Sequence, residues 1–288
     1  MHIAKLSLYI ITQNEERRLP LVLESVKDLV DEIVVVDSGS TDGTEGIVRR
    51  YGGRFLHHDW ESVGHQVKWA EEQCSHRWVL RLDADEVLSP DLREEIKEIR
   101  KSGTKDAYYL KIADMVVGRA KPNRWVKYAC NLIRLYNRDA YTMAGTIGHD
   151  DVVPVKPGAS AGRLKGVMYH YSYISLSQLS QKHSIQTDRL VERALIIGKE
   201  YSPWRMVGVM PLNFLKRFIL HRFFLYGFWG LIYSMDYAYT RFLKFSKFYE
   251  AKQLQKYEYP PPAVGRRRVA KSGDSAANAP RAETRAPC

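Results

Sequence analysis

Four short apolar runs organise the first hundred residues: "LSLYIIT" (6–12), "EIVVVD" (32–37), "RFLHH" (54–58) and "WVLRLD" (78–83). Between and after them, helical spacing recurs at about 16–30, 43–51, 62–74 and 89–101. The runs are continuously apolar rather than alternating, the pattern of strands buried on both faces of a parallel sheet. Strand and helix in strict alternation read as βαβ units. The last helix carries its own start chemistry, with Ser89 as N-cap, Pro90 at the first helical position and Asp91 in the first turn. The fold class that follows is α/β, a doubly wound, Rossmann-like, mostly parallel sheet flanked by helices. In such sheets ligands bind at the carboxyl ends of the strands, which lie along one edge.

Three of the predicted strands end in polar groups. The first gives "ITQNEE", with Thr12, Asn14 and Glu15; the second gives "VDSGSTDGT", headed by Asp37; the fourth gives "LDADE", with Asp83, Asp85 and Glu86. Singly, each has a plain structural reading. Asp37 would shape a turn whose Thr41 or Asp42 opens the next helix, and "NEE" would be first-turn acids facing a helix dipole. Together they converge on one edge. Acids packed this closely after a buried strand repel, and each is costly unless a cation or water compensates it. A nucleoside diphosphate held through Mg²⁺ or Mn²⁺ supplies a common reason, since such an ion uses one or two carboxylates and keeps its other positions for phosphate and water. Asp85 would be the principal ligand, Asp83 would reach the ion or the ribose, and Asp37 and Glu15 would accept hydrogen bonds from base and ribose.

From about 105 to 173 the pattern changes to strand-like pieces, "AYYLKIADMVVG", "ACNLIRLYN" and "GVMYHYSY", and helical spacing resumes over 175–200. Residues 207–250 are rich in aromatics and bases, and after "YPPP" (259–262) the composition collapses to Ala, Arg, Pro and Ser, which predicts a disordered tail. The three cysteines, Cys74, Cys130 and Cys288, are widely spaced, which argues for a reducing compartment and against structural zinc. "MHIAKLSLYIITQNEE" turns polar too quickly for a signal peptide and reads as a first strand. The net charge of +11 over 288 residues implies an anionic partner. With no helix-turn-helix, zinc-finger or RNP pattern, that partner is not expected to be nucleic acid. A sugar-phosphate nucleotidyltransferase would want a Gly-rich basic loop after the first strand, where this chain has "ITQNEERRLP".

"ITQNEE", "EIVVVDSGSTDGT", "WVLRLDADEVLSPDL" and "HYSY" (170–173), in that order, resemble the inverting family 2 glycosyltransferases of GT-A fold. Within them the resemblance is to the lipopolysaccharide core glycosyltransferases of the WaaE/KdtX type, and it runs from about 6 to 250. It implies a sugar-nucleotide donor held by the first half, with Thr12, Asn14, Glu15 and Asp37 on the nucleotide and "DAD" gripping a divalent metal. It also implies a general base downstream. Similar proteins carry a His-Glu pair where this chain has His149-Asp150 in "TIGHDDVV", so the base would be Asp150, with Asp151 as alternate. His170 would complete the metal shell, the alternative being a hydrogen-bonding residue in a Tyr-rich strand. Lys68 would face the diphosphate or lie on a helix surface.

The expected division is 1–104 for the nucleotide-sugar half, 105–200 for the acceptor-side half, 201–258 for an amphipathic helical extension and 259–288 for the tail. The expected activity is transfer of a hexose, glucose from UDP, to a lipopolysaccharide inner-core sugar. A glycosyltransferase for another surface glycan, and a non-catalytic membrane-surface scaffold retaining the fold, stand as alternatives.

Residues 218–235, "FILHRFFLYGFWGLIYSM", are long enough to invite a transmembrane reading. His221 and Arg222 lie inside the run, however, and a central Arg costs about 2.5–3.5 kcal/mol. An in-plane amphipathic helix fits better, with Lys216, Arg217, Arg222, Arg241, Lys244 and Lys247 nearby, each worth on the order of 1 kcal/mol beside an anionic leaflet. A core helix with a solvated basic face is the other reading. The expected location is cytoplasmic, peripheral on the inner membrane, where a phosphate-bearing lipid A–core acceptor would sit.

Overall fold

The computed structural model describes residues 3–117, 119, 122–123, 125–126, 130–145 and 151–256. Among these the chain forms two compact units, the first reaching Ser175 and the second starting at Leu176. The division falls inside the span expected for the acceptor-side half. The tail from 259, together with His149 and Asp150, lies outside the described residues.

In the first unit the predicted strands appear as β1 (Leu6–Thr12), β2 (Glu32–Asp37), β3 (Arg54–His57) and β4 (Trp78–Arg81). The helices α1 (Leu19–Glu24), α2 (Thr44–Arg50), α3 (Val63–Glu72) and α4 (Pro90–Ser102) accompany them. Ser62 and Ser89 cap α3 and α4 by accepting the backbone N–H of His65 and Leu92. α1 is much shorter than its predicted 16–30. The Ser25 hydroxyl donates back to the Val22 carbonyl (2.7 Å) and itself accepts Leu88 N–H (3.3 Å), which ends the helix against the next layer.

The remaining strands are β5 (Glu86–Leu88), β6 (Ala107–Asp114), β7 (Cys130–Asn137), β8 (Tyr141–Met143), β9 (Val152–Pro154) and β10 (Ala161–His170). Eight strands form one sheet in the order β3-β2-β1-β4-β7-β6-β10-β5, and β8 and β9 form a separate hairpin. Four of the seven pairings in the large sheet are parallel. Both faces are covered, as the continuous apolar runs require. Leu6, Leu8 and Ile10 of β1 join the core beneath α1 and α4, while Tyr9 joins the opposite core with Val34, Val36 and Val67. Gly166 lets β10 pass close beneath α4, because a Cβ there would meet Leu92 Cα at 2.5 Å.

The second unit comprises α5 (Leu176–Ile196), α6 (Arg205–Leu215) and α7 (Phe228–Lys256). Val191, Ala194 and Phe248 pack between α5 and α7, and His183 meets Asp236 at 2.7 Å. The expected amphipathic helix over 218–235 is not one helix. A π-helical turn (Lys216–Leu220) leads to Arg222, whose φ of 63° is left-handed, then to a 3-10 turn (Phe223–Tyr226) and to Gly227 at φ 60°. α7 starts only after this break. It is seated on the turn at Gly230, where a Cβ would strike the Phe223 carbonyl. Among the described residues no helix is long and apolar enough to cross a membrane.

Candidate active site

The register of the sheet fixes which strand ends meet. Thr12 at the end of β1 lies beside Asp37 at the end of β2. β4 stops at Arg81, two residues short of its predicted end. Leu82 N–H still bonds the Tyr9 carbonyl (3.3 Å), but Asp83 N–H turns to the Glu86 carboxylate (2.8 Å), which reverses the chain into β5. β5 runs antiparallel to β10 with Glu86 opposite His170, and β10 runs parallel to β6 with His170 opposite Asp114. Tyr171 N–H then bonds the Asp85 carbonyl (2.8 Å). The "DADE" turn, Asp114 and His170 are thus drawn together by backbone pairing alone.

The charge problem posed by these acids is met in part by the protein's own cations. Arg134, in the middle of β7 with its side chain 2% exposed, donates to Glu86 (2.7 Å) and Asp83 (3.3 Å). Arg81 approaches the other oxygen of Asp83 at 3.5 Å. Burial pushes the Glu86 carboxyl above its usual range, although Arg134 pulls the other way. Asp85 is served by other cations. Arg18 Nη1 reaches its Oδ2 at 3.3 Å while the same guanidinium binds both oxygens of Glu15 and the Tyr171 carbonyl. His170 Nε2 stands 3.5 Å from Asp85 Oδ1, and its Nδ1 is 3.1 Å from Asp114. Burial alone would lower the His170 pKa, but Asp114 and Asp85 outweigh it and carry the imidazole up to about 10.

The loops after β1 and β2 are sewn to each other. Asn14, at a left-handed φ of 55°, accepts Thr41 N–H on its side-chain oxygen (2.8 Å) and sends its own N–H to the Ser40 hydroxyl (2.7 Å). Glu15 N–H bonds the Thr44 hydroxyl (2.9 Å), and Glu16 accepts Gly43 N–H (2.9 Å). Asp37 accepts Gly39 N–H (2.8 Å), Ser40 N–H (2.7 Å) and the Ser40 hydroxyl, so its carboxylate shapes its own turn. The buried Thr12 hydroxyl has no hydrogen-bond partner among the described residues, an unspent polar group at the strand edge.

The sequence profile described as glycosyl transferase family 2 matches residues 7–153. The chain belongs to this family. A Rickettsia typhi protein described as an uncharacterized glycosyltransferase is 37% identical over 85% of this chain and 87% of its own length. The lipopolysaccharide core biosynthesis glycosyltransferase LpsC of Rhizobium meliloti is 29% identical over 87% of this chain and 94% of its own. Among solved structures, S. aureus TarS 1–349 is similar at 15% identity and a TM-score of 0.43 over 88% of this chain and 93% of that one.

In this family 2 glycosyltransferase, Lys68 lies with its ammonium on Glu71 (2.8 Å) and the Thr142 hydroxyl (2.7 Å). Glu71, almost fully buried, also accepts the hydroxyls of Tyr136 (2.7 Å) and Thr142 (2.8 Å) and Met143 N–H (3.1 Å). The network ties α3 to the β8–β9 hairpin, at whose end Ala144 N–H bonds the Asp151 carbonyl (2.9 Å). Lys68 and Asp151 therefore belong to one anchored assembly. Glu71→Gln turns one acceptor into a donor facing Lys68, and we expect it to cost about 1–3 kcal/mol, read as a shift in the denaturant midpoint.

The sequence reading missed Arg18, Arg81, Arg134, Asp114 and Glu71. For two of them a signal was present: Arg81 and Arg134 are single charges inside apolar strand runs, "WVLRL" and "CNLIRLY". A charge in a strand buried on both faces requires a buried partner.

Proposed function

We propose that this glycosyltransferase moves a hexose, glucose from UDP, with inversion onto an inner-core sugar of lipopolysaccharide. The observation that carries the reading is the approach of Asp85 and His170, 3.5 Å apart at the strand edge. A carboxylate oxygen and an imidazole nitrogen are a donor pair that suits Mn²⁺ once the imidazole, which Asp114 and Asp85 hold protonated, gives up its proton to the arriving ion. Among the described residues no group of three or more His, Cys, Asp or Glu could hold an ion. An ion here would therefore share its shell with diphosphate and water, as Mg²⁺ and Mn²⁺ at phosphate sites do. The residues fit such an ion.

Asp85 and His170 would be its protein ligands, and Asp83, fixed by its arginines, would face the ribose or the ion. When bound, the ion offsets the charge that builds on the departing diphosphate. The sewn loops of Asn14, Glu15 and Asp37, with the unspent Thr12 hydroxyl, would receive the nucleoside. Asp150, or its neighbour Asp151, would take the acceptor hydroxyl proton as the new C–O bond forms at the anomeric carbon and the bond to diphosphate breaks. Lys68 would steady the segment carrying that base. The likeness to LpsC supports a core-oligosaccharide acceptor, and such an acceptor would place the enzyme peripherally on the cytoplasmic face of the inner membrane.

The test is incubation with a panel of sugar nucleotides and extracted core lipid, with and without Mn²⁺, followed by weighing the lipid. The expected result is a gain of one hexose from UDP-glucose only when metal is present. A gain from a different donor would correct the sugar; no gain with any donor, in a protein that binds UDP tightly, would remove the acceptor.

A further inference from the structure

Large apolar side chains are unusually bare in one part of the second unit. Trp204 is 82% exposed, Val207 72%, Leu212 67%, Leu220 63% and Phe228 85%. All lie between 201 and 235, and this stretch of "YSPWRMVGVMPLNFLKRFILHRFFLYGFWGLIYSM" contains Arg205, Lys216, Arg217 and Arg222 but no Asp or Glu. Exposure on this scale marks an interaction surface, and its chemistry selects the partner. A second copy of the chain would set Arg205, Lys216 and Arg222 against their own counterparts with no carboxylate in the stretch to offset them. An anionic bilayer answers both properties at once, taking apolar side chains between its headgroups and pairing the bases with lipid phosphates.

We propose that residues 201–235 form a wedge that inserts shallowly into anionic lipid. The broken helix is what makes the wedge. Arg222 and Gly227, both at positive φ, fold the chain into two short turns between α6 and α7. That geometry leaves Leu220, Phe224 and Phe228 on exposed ground. Arg217 lies 4.0 Å over the ring of Phe223, a cation that backs the turn. This inference is independent of which sugar or acceptor the enzyme uses.

Flotation of the full chain with vesicles tests it. The protein is expected to rise with phosphatidylglycerol and phosphatidylcholine in equal parts and to stay down with phosphatidylcholine alone. Because apolar side chains are inserted, once-bound protein should be retained in part at about 1 M salt, where the screening length is only ~3 Å. Lipids brominated on the acyl chain should quench the tryptophan emission, and Trp204→Phe should remove part of that quenching. Leu220→Glu with Phe228→Glu, both at exposed positions, should cut vesicle partitioning by about tenfold or more while the circular dichroism is unchanged. Three results would each overturn the proposal: no flotation with anionic vesicles, complete release by salt with no quenching, or a dimer that the double variant dissolves. Transfer to a deacylated core oligosaccharide, measured in parallel, reports on the catalytic reading separately.

Discussion

Asp85→Asn is expected to lower kcat/KM for sugar transfer by more than about 100-fold, because even the outer-sphere partners of a metal ligand are worth 10–100-fold. The fold should survive. Asn keeps the size of Asp and an acceptor for Arg18, and the Asp85 side chain is not deeply buried, at 13% exposed. Initial rates across a Mn²⁺ titration, beside calorimetric binding of UDP with and without the ion, distinguish a lost ligand from a lost nucleotide site. Native activity of this variant in chelator-treated buffer would end the metal reading. The neighbouring Asp83 is a poorer place for the experiment, since its carboxylate also answers to Arg81 and Arg134.

Arg134→Met is expected to be the most damaging single change to stability among the residues around the strand edge. It leaves Glu86 and Asp83 buried without their shared guanidinium, and breaking a buried pair in this way costs about 3–5 kcal/mol. For a unit of this size that is a fall in Tm on the order of 10 °C. The deficit should depend on pH in a definite sense. Burial holds the folded Glu86 carboxyl above its unfolded value. The stability its protonated form contributes is therefore complete below about 4.3 and is lost as pH rises through the raised value. Without Arg134 the value rises further, so the gap between variant and wild type should narrow as the buffer is made acidic. Adding Glu86→Gln and Asp83→Asn to Arg134→Met should recover most of the loss. Melts at several pH values check both statements, and a gap that widens in acid would contradict the assignment.

The parallel half of the sheet was readable because its information is local. Continuous apolar runs, Ser89 before its helix, and acids at run ends are all visible within a few residues. What escaped was set by distance along the chain. β5 is only three residues long and exists because β10, some eighty residues later, pairs with it. The β8–β9 hairpin is equally short and is pinned by Glu71 from α3. Arg18 is separated from Tyr171 by 153 positions, and no window of sequence joins them. The broken helix is a different case. Its apolar content was plain, but a left-handed Arg222 has no compositional signature, and the aromatic run concealed the corner that Gly227 helps to make.

The order β4-β7-β6-β10-β5 has a consequence for how the chain comes into being. A ribosome releases Asp83 and Glu86 well before it releases Arg134, 51 positions after Asp83, and His170 emerges later still. A nascent chain ending near residue 104 would hold Glu86 without Arg134 and β5 without β10, with only Arg18 and Arg81 at hand to offset Asp85 and Asp83. It would have to wait, open and dependent on water, until the second half of the sheet threads in and lets the first half close.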